Sequence, residues 1–531
     1  MQSMTFRFAL AIGCLLLGTG ARASDEAPVY DLLIRGARVL DGTGTPWYYA
    51  DVAVTGDRIV AVGKLPANAA SKRTFEANGQ YLAPGFIDPH SHAWPAIGEE
   101  ALASAEPLLT QGITTVVLNP DGTGPVDLAT QQLRIEQARP GVNVALLVPH
   151  NSIRIQVLGY QNRAPTAEEL VRMQSLVREG MEAGALGLSA GPFYPPGNFS
   201  KTDEHIALAR VAAQFDGIYT SHIRDESRYN IGLIAAVDEV IQVAREARLP
   251  GIVTHIKAST RACWGMSAEV IRIINAARAE GVEVFADQYP YDASGTSLSA
   301  AVIPGWAMEG GESKLRQRLK DRALRAKIRA SVAENLENRG GAESILISSN
   351  RADKRLEGLR LDAIAKQRKA DAVDVAIELI ARGSPTIFSF NMNETDVRAF
   401  MAQPWTMTST DGSLLSEDNG MPHPRAYGTF PKKLRRYAID DPVLTLEQAV
   451  HSMTGLTASI MRLRDRGVIR VGARADLVVF DPKTLRDNAT YENPRQLSTG
   501  VTFVVVNGVV AVSEGRVTQE RGGRVLSRAR E

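Results

Sequence analysis

Five side chains that could bind a metal ion stand directly after short apolar runs of the sequence. They are His90 and His92 after residues 85–89, His222 after 217–221, His255 after 251–254, and Asp411 after 406–410. The chain has only eight histidines, so half of them occupy such positions. Imidazole nitrogen and carboxylate oxygen are the usual zinc ligands where no thiolate is present. These residues therefore predict a site for one or two zinc ions.

The apolar runs must bring these side chains to one place. On a strand, residues i and i+2 share a face, so His90 and His92 can point at the same ion. If each run is a strand of a parallel barrel, the carboxyl ends of all strands meet at one mouth, where barrel enzymes carry their sites. An H-x-H pair alone occurs often by chance. The joint placement of five such residues at predicted strand ends is what favours a metal site.

The middle of the chain alternates apolar runs with helical patterns, which is typical of an α/β protein. Candidate strands end near Asp88, Leu118, Val148, Leu188, Ser221, Thr254, Ala286 and Thr410. Eight β/α units predict a TIM-type (β/α)8 barrel over residues 84–467. Residues 310–398 are too long for one crossover and predict an inserted, lid-like subdomain in that barrel.

Both ends of the chain are rich in β-strand patterns. Residues 29–83 and 468–520 each contain short strand-like runs, and Asn507-Gly508 between two valine-rich runs is a strong hairpin signal. Neither end has enough strands for a stable domain of its own. We therefore predict one composite β-sandwich that is built from both termini.

Composition and the N-terminus indicate an exported protein. Arg7, an apolar run and Ala21-Arg22-Ala23 form a secretory signal peptide pattern over residues 1–23. Of the two cysteines, Cys14 lies in this segment, and its use as a lipoprotein anchor is the weaker interpretation. Cys263 then has no disulfide partner, which favours a bacterial periplasm over a disulfide-rich secretion route. We expect no membrane segment in the mature form.

The net charge of +1 argues against nucleic acid as a partner. The sequence predicts a small-molecule substrate instead, and it does not determine an oligomeric state.

Longer motifs carry a resemblance to a known family. Pro84–His92 resembles the metal signature of the amidohydrolase superfamily. Further segments are similar to its N-acyl-D-amino-acid deacylase (D-aminoacylase) branch: 111–117, 193–196, 221–226, 255–257, 289–291, 409–412, 423–425, 428–431, 453–456 and 473–482. The resemblance extends from about residue 30 to about residue 515. The His-Pro-Arg and Tyr-Pro-Tyr segments are far more specific to this branch than H-x-H.

The resemblance implies zinc-dependent hydrolysis of the amide bond of N-acyl amino acids, and the D series rests on it alone. It assigns His222 and His255 to a tightly held zinc, and His90, His92 and Asp411 to a second metal position. Asp411 is also the implied general acid/base. The implied substrate-binding residues are Lys257, Tyr289 and Arg425 at the α-carboxylate. Phe193 and Tyr194 lie where the acyl group is expected.

Two positions depart from the family pattern. The usual zinc ligand after the second strand is a cysteine, and the aligned residue here is Asp121 in Asn119-Pro120-Asp121-Gly122. A carboxylate can bind or bridge zinc, but Asp-Gly is also a common turn, so both interpretations stay open. Ala93-Trp94 replaces the acidic residues that usually follow H-x-H.

Other functions remain as alternatives. A dipeptidase or a cyclic-amide hydrolase of the same superfamily would share the metal and the fold. A non-catalytic zinc-binding envelope protein would bind metal without hydrolysis, although it would not need Asp411 as an acid/base. Gly187–Gly191 matches the G-x-S-x-G string of serine hydrolases, but the prolines that follow indicate a loop rather than the helix a nucleophile elbow requires.

Overall fold

The structure of the chain, a computed structural model, describes residues 29–528. The predicted signal peptide at 1–23, including Cys14, lies outside the described residues. Within residues 29–528, no helix is both long enough and apolar enough to cross a membrane.

Eight parallel strands form a closed barrel, which confirms the predicted fold class. They are β1 (Phe86–Asp88), β2 (Ile113–Leu118), β3 (Asn143–Leu146, continued by Val148–Pro149), β4 (Gly187–Ala190), β5 (Ile218–Ser221), β6 (Gly251–Val253), β7 (Val284–Gln288) and β8 (Thr406–Thr408). Beyond the strands, the ring closes between β8 and β1. There the Asp411 N–H donates to the His90 carbonyl at 2.9 Å, and Gly412 and Ser413 pair with Ser91 and His92.

Helices pack around the outside of this ring. The longer ones are Leu128–Ala138, His150–Leu158, Ala167–Glu182, Thr202–Ala213, Leu233–Ala247, Ser267–Ala279, Glu394–Met401, Arg425–Lys432 and Leu446–Met453. Ala167–Glu182 shows why they form. Thr166 and Glu169 make a reciprocal capping box at its start, and Met173, Val177 and Met181 are buried on one face at helical spacing.

The two termini combine in one sheet beside the barrel. Its nine strands are Tyr30–Val39, Tyr48–Thr55, Arg58–Gly63, Ser71–Glu76, Tyr81–Pro84, Leu477–Phe480, Val501–Val506, Val509–Ser513 and Arg516–Val517. The N- and C-terminal parts join where Tyr81–Pro84 pairs antiparallel with Leu477–Phe480. Apolar side chains from both parts share one separate core, so neither part encloses that core without the other.

A subdomain is inserted between β7 and β8. Its three antiparallel strands are Ser294–Ser297, Ile345–Ser349 and Thr386–Ser389, and its helices are Leu298–Val302, Gly311–Arg318, Arg322–Asn338, Leu361–Arg368 and Ala372–Ala381. It has a hydrophobic core of its own. The subdomain begins before residue 310, because Ser294–Ser297 is already part of its sheet. This strand has no apolar run that sequence patterns could detect.

A buried polar cluster ties the terminal sheet to the barrel. Asp476 accepts hydrogen bonds from the Arg466 guanidinium, from Asn143 Nδ2 on β3 (3.0 Å) and from the Asn507 N–H (2.7 Å). Asn507 Nδ2 in turn donates to Asn143 Oδ1 at 2.6 Å. Each of these four side chains is almost inaccessible to water.

We expect Asp476→Ala to lower the free energy of unfolding by about 3–5 kcal/mol, because it leaves the buried Arg466 charge without a carboxylate. Urea denaturation would measure this change. Asp481→Ala is the matched control. Among the residues that the structure describes, the Asp481 carboxylate accepts a bond only from the nearby Lys483 N–H at an exposed turn, so about 0.5 kcal/mol or less is expected. Equal effects of the two substitutions would contradict a role of the cluster in joining sheet and barrel.

Candidate active site

Asp121 lies at the centre of the converging side chains. Its Oδ1 atom is 3.5 Å from His90 Nε2, 3.7 Å from His222 Nδ1 and 3.5 Å from His255 Nε2. Its Oδ2 atom is 3.4 Å from His92 Nε2. The structure therefore places Asp121 among the four histidines rather than in a remote turn.

The potential ligand atoms form two groups that share this carboxylate. One group is His90, His92, Asp121 and Asp411, and the other is Asp121, His222 and His255. Within each group the ligand atoms lie within 4.8 Å of one another. Asp411 Oδ1 completes the first group at 3.6 Å from His90 Nε2 and 3.2 Å from His92 Nε2.

The side chains at this point have unsatisfied polar atoms. Both ring nitrogens of His90, both of His222, and Asp121 Oδ1 are buried without a hydrogen-bond partner in the described part of the chain. A buried polar atom without a partner is costly. A divalent cation would satisfy these nitrogen and oxygen atoms together, and this donor set is one that zinc accepts. The residues present therefore fit one ion in each group, with Asp121 between them.

The backbone is strained where it presents three of these residues. Asp121, His255 and Asp411 have φ of 55°, 36° and 48°, in the left-handed region that residues with a side chain rarely adopt. Each such residue costs on the order of 1–3 kcal/mol and persists only when its surroundings hold it. The Asp411 N–H donates to the His90 carbonyl (2.9 Å), and the His255 N–H donates to Asp287 Oδ1 (2.9 Å). These bonds fix the direction in which the side chains leave the strand ends.

Asp88, at the end of β1, joins two of the three strand ends that carry the first group, those of β1 and β8. Its buried carboxylate accepts the backbone N–H of His90 at 3.2 Å and that of Thr410 at 2.9 Å. It also accepts the Thr410 hydroxyl at 2.5 Å. Burial raises the pKa of Asp88 to about 7 despite these bonds.

The carboxylates and imidazoles shift one another's pKa values. Burial opposes ionisation of Asp121 and Asp411, but the neighbouring histidines hold the pKa of Asp121 well below its usual range. The Arg425 guanidinium, together with nearby histidines, lowers the pKa of Asp411. Burial would lower the pKa of His92, yet the two carboxylates raise it to about 10. Burial and Lys257 oppose the charge on His255, but Asp121 and Glu226 raise its pKa to about 9.

Glu226 is a site residue that sequence reasoning did not single out. Its Oε1 atom lies 2.5 Å from Lys257 Nζ, 3.3 Å from His255 Nδ1 and 3.5 Å from His222 Nε2. Lys257 therefore lines the cavity, as its assignment to substrate binding requires, but its charge is already paired. In the sequence, the only indication that Glu226 belongs to the site was its position four residues after His222.

Arg425 and Tyr289 lie together beside Asp411. Arg425 Nη1 is 2.8 Å from Asp411 Oδ2, and the guanidinium carbon is 4.6 Å from the centre of the Tyr289 ring. The Tyr289 hydroxyl and Arg425 Nε are buried without a hydrogen-bond partner in the described residues. Burial raises the pKa of Tyr289, so its hydroxyl keeps its proton and can donate.

These side chains open into one cavity of about 390 Å³ at the carboxyl ends of the strands. All the sequence-predicted site residues except the fully buried His90 line it. The rings of Phe193 and Tyr194, after β4, lie 5.0 and 4.6 Å from that of His222. The inserted subdomain covers the cavity with side chains that include Thr296, Arg339, Ser348 and Phe388.

Comparison with known proteins decides the family. A model described as "Amidohydrolase family" matches residues 350–512. The chain is 35% identical to a D-aminoacylase of Alcaligenes xylosoxydans xylosoxydans, over 95% of this chain and 99% of the relative. It is also 35% identical to an N-acyl-D-glutamate deacylase of the same organism, over 94% of this chain and 96% of the relative. The chain belongs to the D-aminoacylase branch of the amidohydrolase family.

A solved structure of this branch has the same fold. The N-acyl-D-glutamate deacylase of Bordetella bronchiseptica, crystallised with zinc and a phosphonate mimic of the tetrahedral intermediate, superposes with a TM-score of 0.80 at 32% identity. The comparison covers 94% of this chain and all of that one.

Ser189 does not have the environment of a nucleophile in this amidohydrolase. Its fully buried hydroxyl donates to the Asn119 carbonyl at 2.5 Å and accepts the Gly122 N–H at 3.1 Å. It supports the turn that presents Asp121. The G-x-S-x-G string is thus part of the barrel wall.

We expect metal binding to release protons, because His92 and His255 are charged near neutral pH without metal and must be neutral as ligands. Apparent affinity should therefore rise as pH increases from 6 towards 9. Calorimetric titration with zinc in two buffers of different ionisation enthalpy would count the protons. His92→Asn should release about one proton fewer. His451→Asn, whose ring bonds the Gly42 carbonyl away from the site, should match the wild type. No proton release in either buffer would contradict the expectation.

Proposed function

We propose that this protein hydrolyses the amide bond of N-acyl-D-amino acids to a carboxylic acid and a free D-amino acid, with zinc as its metal. The observation that carries the proposal is the shared Asp121 carboxylate, which links two ligand groups in the same cavity as Asp411 and Arg425. The names of the relatives and the zinc and phosphonate of the Bordetella structure support the substrate class and the metal. The D preference rests on those relatives.

Asp411 is placed to act as general acid and base. Bound zinc would supply Lewis-acid activation of water and of the scissile carbonyl. The pKa of Asp411 is low, so its carboxylate is ionised and can accept the proton of the attacking water. The same group then donates that proton to the nitrogen of the leaving amine. Arg425 forms an ion pair with Asp411 Oδ2, while Oδ1 faces the histidines.

Arg425 and Tyr289 are the groups that would hold the substrate's α-carboxylate. A guanidinium and a phenol hydroxyl with unpartnered donors match a carboxylate in chemistry and position. Lys257 would add its charge from the same wall, moderated by Glu226. Phe193 and Tyr194 follow β4, which is opposite β8 in an eight-stranded ring, and this position supports their assignment to the acyl group.

The cavity is less suited to a dipeptide with a free amino terminus. Such a substrate needs a carboxylate for its ammonium group. The carboxylates that line the cavity are Asp121, Glu226 and Asp411, and each already contacts cationic or imidazole partners. An acylated nitrogen carries no charge and needs no such group. We also propose export to a periplasm, which the predicted signal peptide supports.

The decisive assay compares N-acetyl-D-leucine with N-acetyl-L-leucine, using protein that has been treated with a chelator and then reloaded with zinc. We expect turnover of the D isomer only, loss of it with the chelator, and recovery with zinc. Turnover of both isomers would remove the D assignment, and turnover that survives complete metal removal would remove the mechanism.

We expect Asp411→Asn to lower kcat by roughly 10³-fold or more, because it removes the carboxylate that is assigned to move the proton. Metal analysis should show that at least the Asp121, His222 and His255 group still binds zinc. Asp418→Asn, in the exposed part of the same loop, is the matched control and should keep normal kcat. Near-normal turnover in the Asp411 variant would exclude this residue as the acid/base.

A further inference from the structure

Arg339 is a buried cation in the wall of the active-site cavity. It directly follows the helix Arg322–Asn338 of the inserted subdomain and is only 5% exposed. Its Nε atom donates to the Ala301 carbonyl at 3.0 Å, and Nη1 donates to Ser389 Oγ at 3.2 Å. Among the described residues, no carboxylate lies within 4.0 Å of its guanidinium.

The other two permanent cations of the cavity are paired. Lys257 contacts Glu226 at 2.5 Å, and Arg425 contacts Asp411 at 2.8 Å. Burying a charge without a counter-charge is expensive. The partial negative charge at the end of the preceding helix offsets only part of that cost. Arg339 thus lacks the counter-charge that both of its neighbours have.

The other charged groups of the cavity leave no counter-charge for Arg339. Three carboxylates (Asp121, Glu226, Asp411) line the wall, and each already contacts Lys257, Arg425 or the histidines. The α-carboxylate of the substrate is assigned to Arg425 and Tyr289. A counter-charge for Arg339 would therefore have to come from a second carboxylate of the substrate.

A second polar group stands beside Arg339. The Arg339 guanidinium carbon lies 5.3 Å from the centre of the Tyr229 ring. The Tyr229 hydroxyl is buried and has no hydrogen-bond partner in the described residues. Burial raises its pKa, so it remains a donor. A guanidinium and a phenol hydroxyl are both groups that bind a carboxylate.

We propose that Arg339 is a specificity-determining residue that binds a second carboxylate of the substrate, so that the preferred substrates are dianionic N-acyl amino acids. The inference rests on the proposed deacylase function and names its substrate class. The second carboxylate has two possible sources, the side chain of the released amino acid and the far end of the acyl group. Both present the same chemistry to Arg339.

Two pairs of substrates of equal shape distinguish the sources in the wild-type enzyme loaded with zinc. N-acetyl-D-glutamate against N-acetyl-D-glutamine tests the amino-acid side chain. N-succinyl-D-leucine against N-succinamoyl-D-leucine tests the acyl group. We expect the charged member of one pair to have a kcat/KM higher by about tenfold or more. N-acetyl-D-leucine is included as a monoanionic reference.

Substitutions of Arg339 then test whether this residue causes the preference for the charged substrate. Arg339→Met should abolish the ratio between the charged and neutral members, and Arg339→Lys should keep part of it. Arg318→Met is the matched control. Arg318 belongs to the same subdomain and donates to the carbonyls of Ala307 and Glu309, but it does not line the cavity. Its substitution should keep the full ratio, whatever change in melting temperature the two variants show.

Turnover of N-acetyl-D-leucine without any preference for the charged member of either pair would overturn the inference and leave the deacylase function in place. A preference that persists in Arg339→Met would also overturn it. Absence of turnover of every compound would overturn the proposed function and the inference with it.

Discussion

The structure of the site depends on one carboxylate that is shared by four imidazoles. Asp121 contacts His90, His92, His222 and His255 within 3.7 Å, and it has almost no access to water. Such a cluster of donor atoms is stable only if protons or cations hold it together. Without metal, the raised pKa values of His92 and His255 supply those protons. With metal, the same geometry would give two adjacent ligand groups, and the aspartate that stands where the family usually has a cysteine offers an oxygen atom to both of them.

The barrel makes this concentration of ligands possible because its strands all end at the same mouth. The candidate metal ligands lie one to four positions beyond the last residue of β1, β2, β5, β6 and β8, where the chain leaves the strand and can turn. Three of them adopt left-handed backbone conformations, and hydrogen bonds between neighbouring strand ends hold two of these, His255 and Asp411. Asp88 and Asp287 fasten adjacent strands directly behind the ligands.

Sequence patterns were sufficient to predict the ends of the barrel strands, because burial and residue spacing follow directly from strand geometry. Each predicted strand end lies within two residues of the observed one, because apolar runs of barrel strands are fully buried and end at polar ligands. The position of Asp121 could not be decided from sequence, since Asp-Gly is equally typical of a turn. Glu226 was missed because its role depends on Lys257, which lies on a different strand end. The early start of the inserted subdomain was missed because Ser294–Ser297 is a polar strand that only its pairing with Thr386–Ser389 defines.

Chemistry and recognition come from different parts of this chain. The strand ends of the barrel supply the metal ligands, the proton-transfer group and the contacts for one carboxylate, and relatives with different named substrates match the chain along nearly its whole length. The subdomain between β7 and β8 has its own core and approaches the cavity only with its sheet and with the residue after one helix. It can therefore change the side chains that it presents without disturbing the ligands. Burying an arginine without a counter-charge lowers the free energy of unfolding. Binding of an anionic substrate at Arg339 would supply the missing counter-charge and offset that loss.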